Sequence, residues 1–299
     1  MSTVNNDLKT MNKLMKPYSV ACQLISAGII SVCCQSAHAQ LLFSESFNYT
    51  QGSQLGAAGN INPSSGNKWS GGNADLAIGS ANLPYAGLQE AAGNDLIDVG
   101  TTGSANSTYN NFSGAAVSTG SIFYSFVIDC TQAPTGNSYI SALNPAAGTP
   151  NGSSDQLSTY VGPSGSGWQL GIRTTGGGTG AVYDTGLSVG TTYFVVEELT
   201  FGASPVGNLY VDPVPGGSQP GTPTETQIGG SASTSVDDVG FKGNSSAPKA
   251  GYEDIGDLLV AQDWADVTPS AVPEPGTLAL LGSGLVLLQV GWRRLQKRA

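Results

Sequence analysis

Charged residues are scarce in this sequence. Only 11 of its 299 residues are Lys or Arg and 21 are Asp or Glu, so the charged fraction is 11%. A soluble domain has about 25% charged residues, and a helical bundle needs them on the outer face of each helix. The composition therefore argues against a helical bundle. It does not indicate a disordered chain either, because 39% of the residues are hydrophobic.

Basic residues are especially rare in the middle of the chain. Residues 40–270 contain 19 Asp or Glu and only four basic residues, so this central body has a formal charge of −15. The four are Lys68, Arg173, Lys242 and Lys249. Such a surface repels phosphate backbones, so we expect no nucleic-acid partner.

Histidine and cysteine are nearly absent from the same body. The only histidine is His38, and of the four cysteines only Cys130 lies after residue 40. Without histidine the body cannot form a Ser-His-Asp triad, a Cys-His pair or a His-ligated zinc site. One cysteine cannot form an internal disulfide. We interpret Cys130 as a small, half-buried side chain at the end of a strand.

The first 39 residues have the three parts of a signal peptide. A basic stretch precedes the mostly apolar run 20–32, and Ala37 and Ala39 occupy the −3 and −1 positions before Gln40. This pattern predicts an exported chain with a signal helix over residues 1–39, cut by signal peptidase after Ala39. The apolar run is too short for a retained anchor, and bulky residues before the paired cysteines disfavour a lipoprotein.

The C-terminal segment also has three parts. The triplet Pro273-Glu274-Pro275 is followed by the apolar run 277–292 and then by four basic residues. As a helix this run would span about 24 Å, somewhat less than a hydrocarbon core of about 30 Å. The basic residues are expected to stay on the cytoplasmic side, which predicts a transmembrane helix over residues 277–292. They are Arg293, Arg294, Lys297 and Arg298.

This tail resembles the PEP-CTERM sorting signal of Gram-negative bacteria, and the resemblance covers residues 272–298. We therefore assign residues 271–299 as a sorting signal. The resemblance implies a membrane exosortase as partner, which cuts near Pro273-Glu274-Pro275 after the C-terminal helix has anchored an inner-membrane intermediate. The body would then reach the cell surface or the extracellular space of a host that makes extracellular polysaccharide. The alternative is an ordinary tail anchor that is never cleaved.

The body contains many short extended runs separated by Gly, Pro, Asn or Ser. No stretch of it shows sustained helical periodicity. The pattern predicts an all-β sandwich or jelly roll over residues 40–270. The runs are 41–47, 121–128, 138–143, 156–161, 167–173, 180–184, 191–201, 208–212, 236–241 and 255–261.

Three parts of the body resemble secreted concanavalin A-like (LamG-like) domains. They are the opening run 43–49 with Trp69 after it, the middle run 168–173, and the closing run 255–260. The resemblance implies a jelly-roll sandwich in which the first and last strands pair, so that the two ends of the body lie together.

Catalytic chemistry would have to rest on carboxylates. Glu197 and Glu198 are adjacent in a predicted strand, so they point to opposite faces and cannot act as a pair. Glu253 is a further candidate, but the acidic strand motif of the glucanases that share this fold is absent. We therefore expect no enzymatic activity, and a glycoside hydrolase is the least favoured hypothesis.

Calcium is the one cofactor that the sequence leaves open. Asp95 with Asp98, or Asp237 with Asp238, offer hard oxygen ligands from predicted loops, although solvated loop acids are the simpler interpretation. Trp69, Tyr85 and Trp168 are candidates for stacking on sugar rings. All three lie in the central body, and the simpler interpretation is that they pack in the core or at the rim of the sandwich.

The leading hypothesis is an exported, non-catalytic surface or extracellular-matrix protein. The motivating features are the sorting tail and the acidic, histidine-free body. The alternative is a lectin-like module that binds carbohydrate or calcium, with extracellular polysaccharide as its candidate partner.

Overall fold

The fold is given by a computed structural model, which describes residues 41–57, 59–72, 75–80, 82–89, 92–99, 107–145, 154–175, 181–243 and 253–271. The predicted signal peptide and the sorting triplet with its apolar run and basic end lie outside the described residues. Within the described part of the chain, no helix is long and apolar enough to cross a membrane.

The described residues form fourteen strands and one short helix. In chain order these are β1 (Phe43–Glu45), β2 (Leu76–Ile78), β3 (Leu96–Asp98), β4 (Ser107–Asn111), β5 (Ser121–Cys130), β6 (Ser138–Asn144), β7 (Leu157–Ser164), β8 (Gly167–Thr174), β9 (Val182–Leu187), β10 (Tyr193–Thr200), β11 (Val206–Val211), β12 (Glu225–Ile228), β13 (Asp238–Lys242), β14 (Glu253–Ala261) and α1 (Trp264–Val267).

The strands form two antiparallel sheets. The eight-stranded sheet has the order β12-β11-β10-β5-β14-β3-β2, with β1 also paired to β14. The six-stranded sheet has the order β4-β13-β6-β7-β8-β9. This architecture confirms the prediction of an all-β sandwich.

The last strand, β14, is a central strand of the larger sheet. Along one side it pairs with β5, and along the other it pairs with β3 near its start and with β1 near its end. Phe43 of the first strand lies opposite Val260 of the last. The two ends of the body therefore pair, as the resemblance implied.

The core lies between the inner faces of the two sheets, and β5 illustrates how the sequence builds it. Tyr124, Phe126 and Ile128 alternate along β5 and are fully buried in the main apolar core. The intervening Phe123 and Val127 are also buried, but they belong to a second cluster on the other side of the sheet. A strand that is covered on both faces reads as a continuous apolar run rather than an alternating one.

The second cluster exists because two segments cover the outer face of the eight-stranded sheet. One is residues 82–89, and the other is residues 264–271, which we call the strap. Trp264 of the strap packs edge-on against Phe123 and Tyr210, with ring centroids 6.0 and 5.0 Å apart. The indole nitrogen of Trp264 donates a hydrogen bond to the backbone carbonyl of Gly217 at 3.0 Å.

Four strands and the helix were not predicted from the sequence. The strands are β2, β3, β4 and β12, which have three to five residues each. β4 is the clearest case, because its sequence Ser-Thr-Tyr-Asn-Asn contains little apolar pattern. Such short strands form because a neighbour supplies hydrogen-bond partners, and a single-sequence pattern does not show that neighbour.

Candidate functional site

The outer face of the six-stranded sheet carries a row of tyrosines. The strand register places Tyr139 of β6 opposite Tyr160 of β7, then Gly171 of β8, then Tyr183 of β9. Adjacent strands lie about 4.8 Å apart, so this row spans about 14 Å across the sheet. Gly171 has no side chain and is itself buried, so the rings of this row come from β6, β7 and β9 only.

Two of the four basic residues of the body lie on this row. The guanidinium carbon of Arg173 is 5.2 Å from the centroid of the Tyr160 ring, and the Lys242 amine is 5.3 Å from that of Tyr139. Each pair has the geometry of a cation–π contact. We call these five residues the tyrosine face: Tyr139, Tyr160, Arg173, Tyr183 and Lys242.

Hydrogen bonds fix one end of the row. Tyr139 donates from its hydroxyl to Oδ2 of Asp155 at 2.6 Å, and Ser158 donates to the same oxygen at 3.2 Å. Burial, followed by the neighbouring Asp155 carboxylate, raises the pKa of Tyr139 well above its ordinary value. The Tyr139 and Tyr160 rings are 5.5 Å apart at 48°. This end of the face is therefore rigid before any ligand arrives.

The other tyrosines remain partly open to solvent. Tyr160 and Tyr183 are half-buried. Burial raises the pKa of Tyr160, although the nearby Arg173 charge acts in the opposite direction. Burial, with a contribution from Tyr160, raises the pKa of Tyr183 to about 12. Both phenols are therefore neutral near pH 7, so each can donate and accept a hydrogen bond.

The charges on this side of the sheet differ in their access to solvent. Arg173 and Lys242 are half-buried, whereas Asp155 and Asp238 are 3% and 0% exposed. The Asp238 carboxylate is also occupied, because Asn144 donates to its Oδ1 at 2.7 Å. The charges that meet solvent on the tyrosine face are thus positive, on a body whose formal charge is negative.

The aromatics proposed from the sequence for sugar stacking lie elsewhere. Trp69 and Trp168 are 1% and 0% exposed and pack in the main core, so that hypothesis was wrong for both of them. Tyr85 packs against Phe194 over the outer face of the eight-stranded sheet, with ring centroids 5.5 Å apart. Tryptophan has a large apolar side chain, so in a sandwich it is more often buried in the core than exposed for a ligand.

The two adjacent glutamates of β10 point in opposite directions, as predicted. Glu197 lies between the sheets and accepts a hydrogen bond at 2.8 Å from Thr159 of the six-stranded sheet. Burial raises the pKa of Glu197 to about 8. Glu198 lies on the outer face and accepts from Asn208 at 3.0 Å and from Gln219 at 2.9 Å. The two carboxylates therefore do not form a catalytic pair.

Glu253 is also enclosed. It is 2% exposed, and its Oε2 has no hydrogen-bond partner. Burial, followed by the nearby Asp98 carboxylate, raises the pKa of Glu253 well above its ordinary value. A glycosidase needs its acids in an open cleft beside the scissile bond. Neither Glu253 nor Glu197 has that access.

The calcium candidates do not converge in the described residues. Asp95 immediately precedes β3 and Asp98 ends it, so alternation directs their side chains to opposite faces of the sheet. Asp237 and Asp238 are consecutive, and Asp238 is turned towards Asn144. Within the described ranges, no group of three or more His, Cys, Asp or Glu side chains is arranged to hold a metal ion.

Cys130 is the last residue of β5 and is fully buried. Burial, followed by the nearby Glu253 carboxylate, raises the pKa of its thiol. A buried thiol held in its neutral form is a packing residue rather than a nucleophile. The sequence placed it correctly at a strand end, but it is more deeply buried than the half-buried position expected.

A cavity of about 340 Å³ lies on the other side of the sandwich, against the outer face of the eight-stranded sheet. Its walls are mainly apolar, from Leu88, Phe194 and Leu259, with Ser125 and Asp257 among the polar residues. Asp257 has a left-handed φ of 45° at the bulge in β14. The cavity contains no basic residue and does not reach the tyrosine face.

The sequence contained an indication of the tyrosine face that pattern reasoning did not use. The three tyrosines of the row all fall in runs predicted to be strands. Arg173 ends another such run, and Lys242 directly follows one. Only the register between β6, β7, β8 and β9 shows that these side chains meet.

Comparison with protein families identifies the C-terminal segment. Residues 271–295 match the PEP-CTERM protein-sorting motif. The motif indicates export and cell-surface targeting in Gram-negative bacteria, with an exosortase as the processing partner. No curated protein matches the chain.

Several solved structures show distant similarity to this chain. An endo-β-1,4-glucuronan lyase from the fungus Trichoderma reesei is 14% identical, with a TM-score of 0.41, over 77% of this chain and 99% of the lyase. An alginate lyase is 12% identical, with a TM-score of 0.48, over 74% and 98%. The globular domain of T. cruzi calreticulin is 13% identical, with a TM-score of 0.47, over 77% and 91%. Similarity at this level assigns no activity to this chain.

Proposed function

We propose that this protein is an exported, non-catalytic surface or extracellular-matrix protein with a concanavalin A-like body. Its body binds anionic extracellular polysaccharide through the tyrosine face. The observation that carries the proposal is the placement of Arg173 and Lys242. In a body of formal charge −15, both lie over tyrosine rings on one sheet face.

The chemistry of this face suits an acidic sugar chain. Tyrosine rings offer flat apolar surfaces for sugar rings, and their neutral hydroxyls can exchange hydrogen bonds with sugar hydroxyls. Arg173 presents a planar guanidinium that matches a carboxylate in a bidentate arrangement. Lys242 adds a second positive charge at the Tyr139 end of the row. The lectin-like alternative thus has a specific surface in its favour.

Titration calorimetry of the protein with a polyuronate and with a neutral glucan tests this proposal. A charge-assisted hydrogen bond contributes about 1.5–3 kcal/mol, so Arg173→Ala and Lys242→Ala should each weaken polyuronate binding about tenfold or more. Lys68→Ala removes the same charge from an exposed position away from the face and should leave the affinity unchanged. Equal losses in all three variants, or no saturable binding by the parent protein, would contradict the proposal.

The sorting part of the proposal concerns the tail. The apolar run 277–292 spans the inner membrane, and the basic residues after it remain in the cytoplasm. Exosortase cuts near Pro273-Glu274-Pro275 and frees the body. The matched sorting motif supports this sequence of events. The proposal also includes removal of residues 1–39 by signal peptidase after Ala39.

Intact-mass measurement of the protein recovered from the host envelope and medium tests processing. We expect a species that begins at Gln40 and ends near residue 275. Replacement of Glu274 by Ala should cause chains that retain the full tail to accumulate. A parent protein that always ends at Ala299 would contradict the processing part of the proposal but not the polysaccharide part.

A further inference from the structure

The strap holds the end of the body firmly, up to the residue where the sorting motif begins. The backbone amide of Gln89 donates to Pro269 at 2.9 Å, and that of Ala271 donates to Gly87 at 2.9 Å. Thr268, between Trp264 and these contacts, is 0% exposed. The matched sorting motif starts at residue 271. The body and the motif are therefore joined without a spacer.

A second loop closes over the strap from the other side. The backbone amide of Gly216 donates to the Thr268 carbonyl at 2.6 Å. Gly216 has a left-handed φ of 71°, and a Cβ added there would come within 2.6 Å of the Cβ of Ser270. Only glycine allows this close approach. The strap is thus clamped between the loops that contain Gly87 and Gly216.

The tether that remains after the clamp is short. Six residue steps separate Ala271 from Thr277, where the apolar run begins, and six extended residues reach at most about 21 Å. A compact domain of about 230 residues has a radius of gyration of about 17 Å, which corresponds to a sphere about 45 Å across. The tether therefore cannot pass around the body. The side of the body on which the strap lies must stay near the membrane surface.

We propose that the strap fixes the orientation of the body at the membrane. The outer face of the eight-stranded sheet lies towards the bilayer, and the tyrosine face is directed away from it, towards extracellular polymer. This inference rests on the proposed membrane insertion of the tail. It adds which of the two sheet faces meets the lipid surface while the protein is anchored.

Two further observations agree with this orientation. Val214, in the loop that clamps the strap, is 74% exposed, which is the largest value among the large apolar side chains of the described residues. An apolar side chain next to the chain exit is compatible with a lipid interface. The net negative charge of the body gives it no overall attraction to anionic lipid, and the short tether outweighs the local positive charge of the tyrosine face in setting the orientation.

Energy transfer to headgroup-labelled lipid in vesicles tests the orientation with the full-length chain. A single fluorophore is attached at Val214→Cys or at Gln169→Cys, which lies on the outer side of the six-stranded sheet. The three cysteines before residue 40 are replaced by Ser, and buried Cys130 is left in place. The two sheets lie about 10 Å apart and the strap adds a further layer, so transfer should be at least about threefold stronger from position 214.

The matched control inserts a flexible Gly-Ser linker of about 20 residues after Ala271, which adds about 25 Å of reach. With this linker the two positions should give similar transfer. Equal transfer from the parent chain bound to vesicles would overturn the orientation and leave the anchoring intact. Failure of the parent chain to float with the vesicles would overturn both the anchoring and the orientation.

Discussion

The two outer faces of this sandwich follow the same strand geometry but have opposite chemistry. On the eight-stranded sheet the outward side chains include an apolar cluster with Phe123 and Val127 among its members, and the strap packs on this cluster. On the six-stranded sheet the outward side chains include tyrosines with Arg173 and Lys242. Tyr160, Tyr183 and the two cations keep partial contact with solvent, whereas Tyr139 is buried. Outward apolar residues occur where the chain supplies a cover, so the covered face gives stability and the open face is available for ligands.

Removal of the strap's main anchor should have the largest effect. Trp264 is 8% exposed and packs against two aromatic rings. We expect Trp264→Ala to lower the free energy of unfolding by about 3–5 kcal/mol, the range for large-to-small changes at buried aromatic sites. Urea denaturation followed by fluorescence measures this loss. Val214→Ala, at an exposed position of the adjacent loop, should change the stability by less than about 0.5 kcal/mol.

The interior between the two faces should respond to pH through Glu197. Its pKa of about 8 in the folded protein lies above the ordinary value of 4.5, so the folded state holds its proton more tightly than the unfolded chain. The stability that this group contributes is complete below about pH 4.5 and is lost as the pH rises to about 8. Glu197→Gln keeps the shape of the side chain but has no titratable group. The variant should therefore lack about 3 kcal/mol of the stability loss that the parent shows between pH 5 and 8.

Denaturation curves of the parent protein and the Glu197→Gln variant at several pH values between 5 and 8 test this expectation. Glu198→Gln is the matched control, because Glu198 is the neighbouring carboxylate on the outer face and already accepts hydrogen bonds from Asn208 and Gln219. Parallel pH profiles for the parent and Glu197→Gln would show that Glu197 does not titrate in this range.

A smaller effect is expected on the eight-stranded sheet, where acidic side chains lie close together. No basic side chain contributes to the shift in the pKa of Asp254. Asp254 of β14 is directly opposite Asp129 of β5. Burial, followed by the carboxylates of Asp95 and Asp129, raises the pKa of Asp254 to about 7. Its contribution to stability is therefore present at low pH and is lost as the pH rises through about 7.

Asp254→Asn should relieve this repulsion. We expect the variant to be more stable than the parent by about 1 kcal/mol at pH 8, a modest value because Asp254 is partly exposed and solvent screens its charge. At pH 3 the two proteins should have nearly equal stability, because Asp254 is then protonated in both the folded and the unfolded state. Thermal unfolding at both pH values measures the difference; a gain that is the same at pH 3 and pH 8 would point to packing instead.

The sequence allowed the fold class to be predicted because the long strands carry their own apolar pattern. β5 and β10 are continuous β-rich runs, and they were found within a residue or two of their ends. β2 and β3 have three residues each; they pair with one another, and β3 pairs on its other side with β14, near the far end of the body. No local pattern identifies such strands, since the neighbouring strands provide most of their stabilisation.

The candidate site was less predictable than the fold. Its residues come from β6, β7, β8, β9 and β13, and their meeting depends on register and on a bulge between Tyr139 and Ser141. A shift of one residue would turn the tyrosines inwards. The sequence did allow the opposite orientations of Glu197 and Glu198 to be predicted, because alternation within one strand is a local property.

The position of β14 has a consequence for the timing of folding during export. This strand joins β5, β3 and β1 in one sheet, yet it is the last strand of the described body to leave the ribosome and to cross the membrane. Contacts between the two ends of a chain form late and slow the search for the native state. The body can complete its larger sheet only when residues 253–261 have been translocated, a few residues before the sorting tail arrives. The body therefore finishes folding at nearly the same time as the sorting tail reaches the processing enzyme. A body that is incompletely folded at that moment would still have its strap undocked.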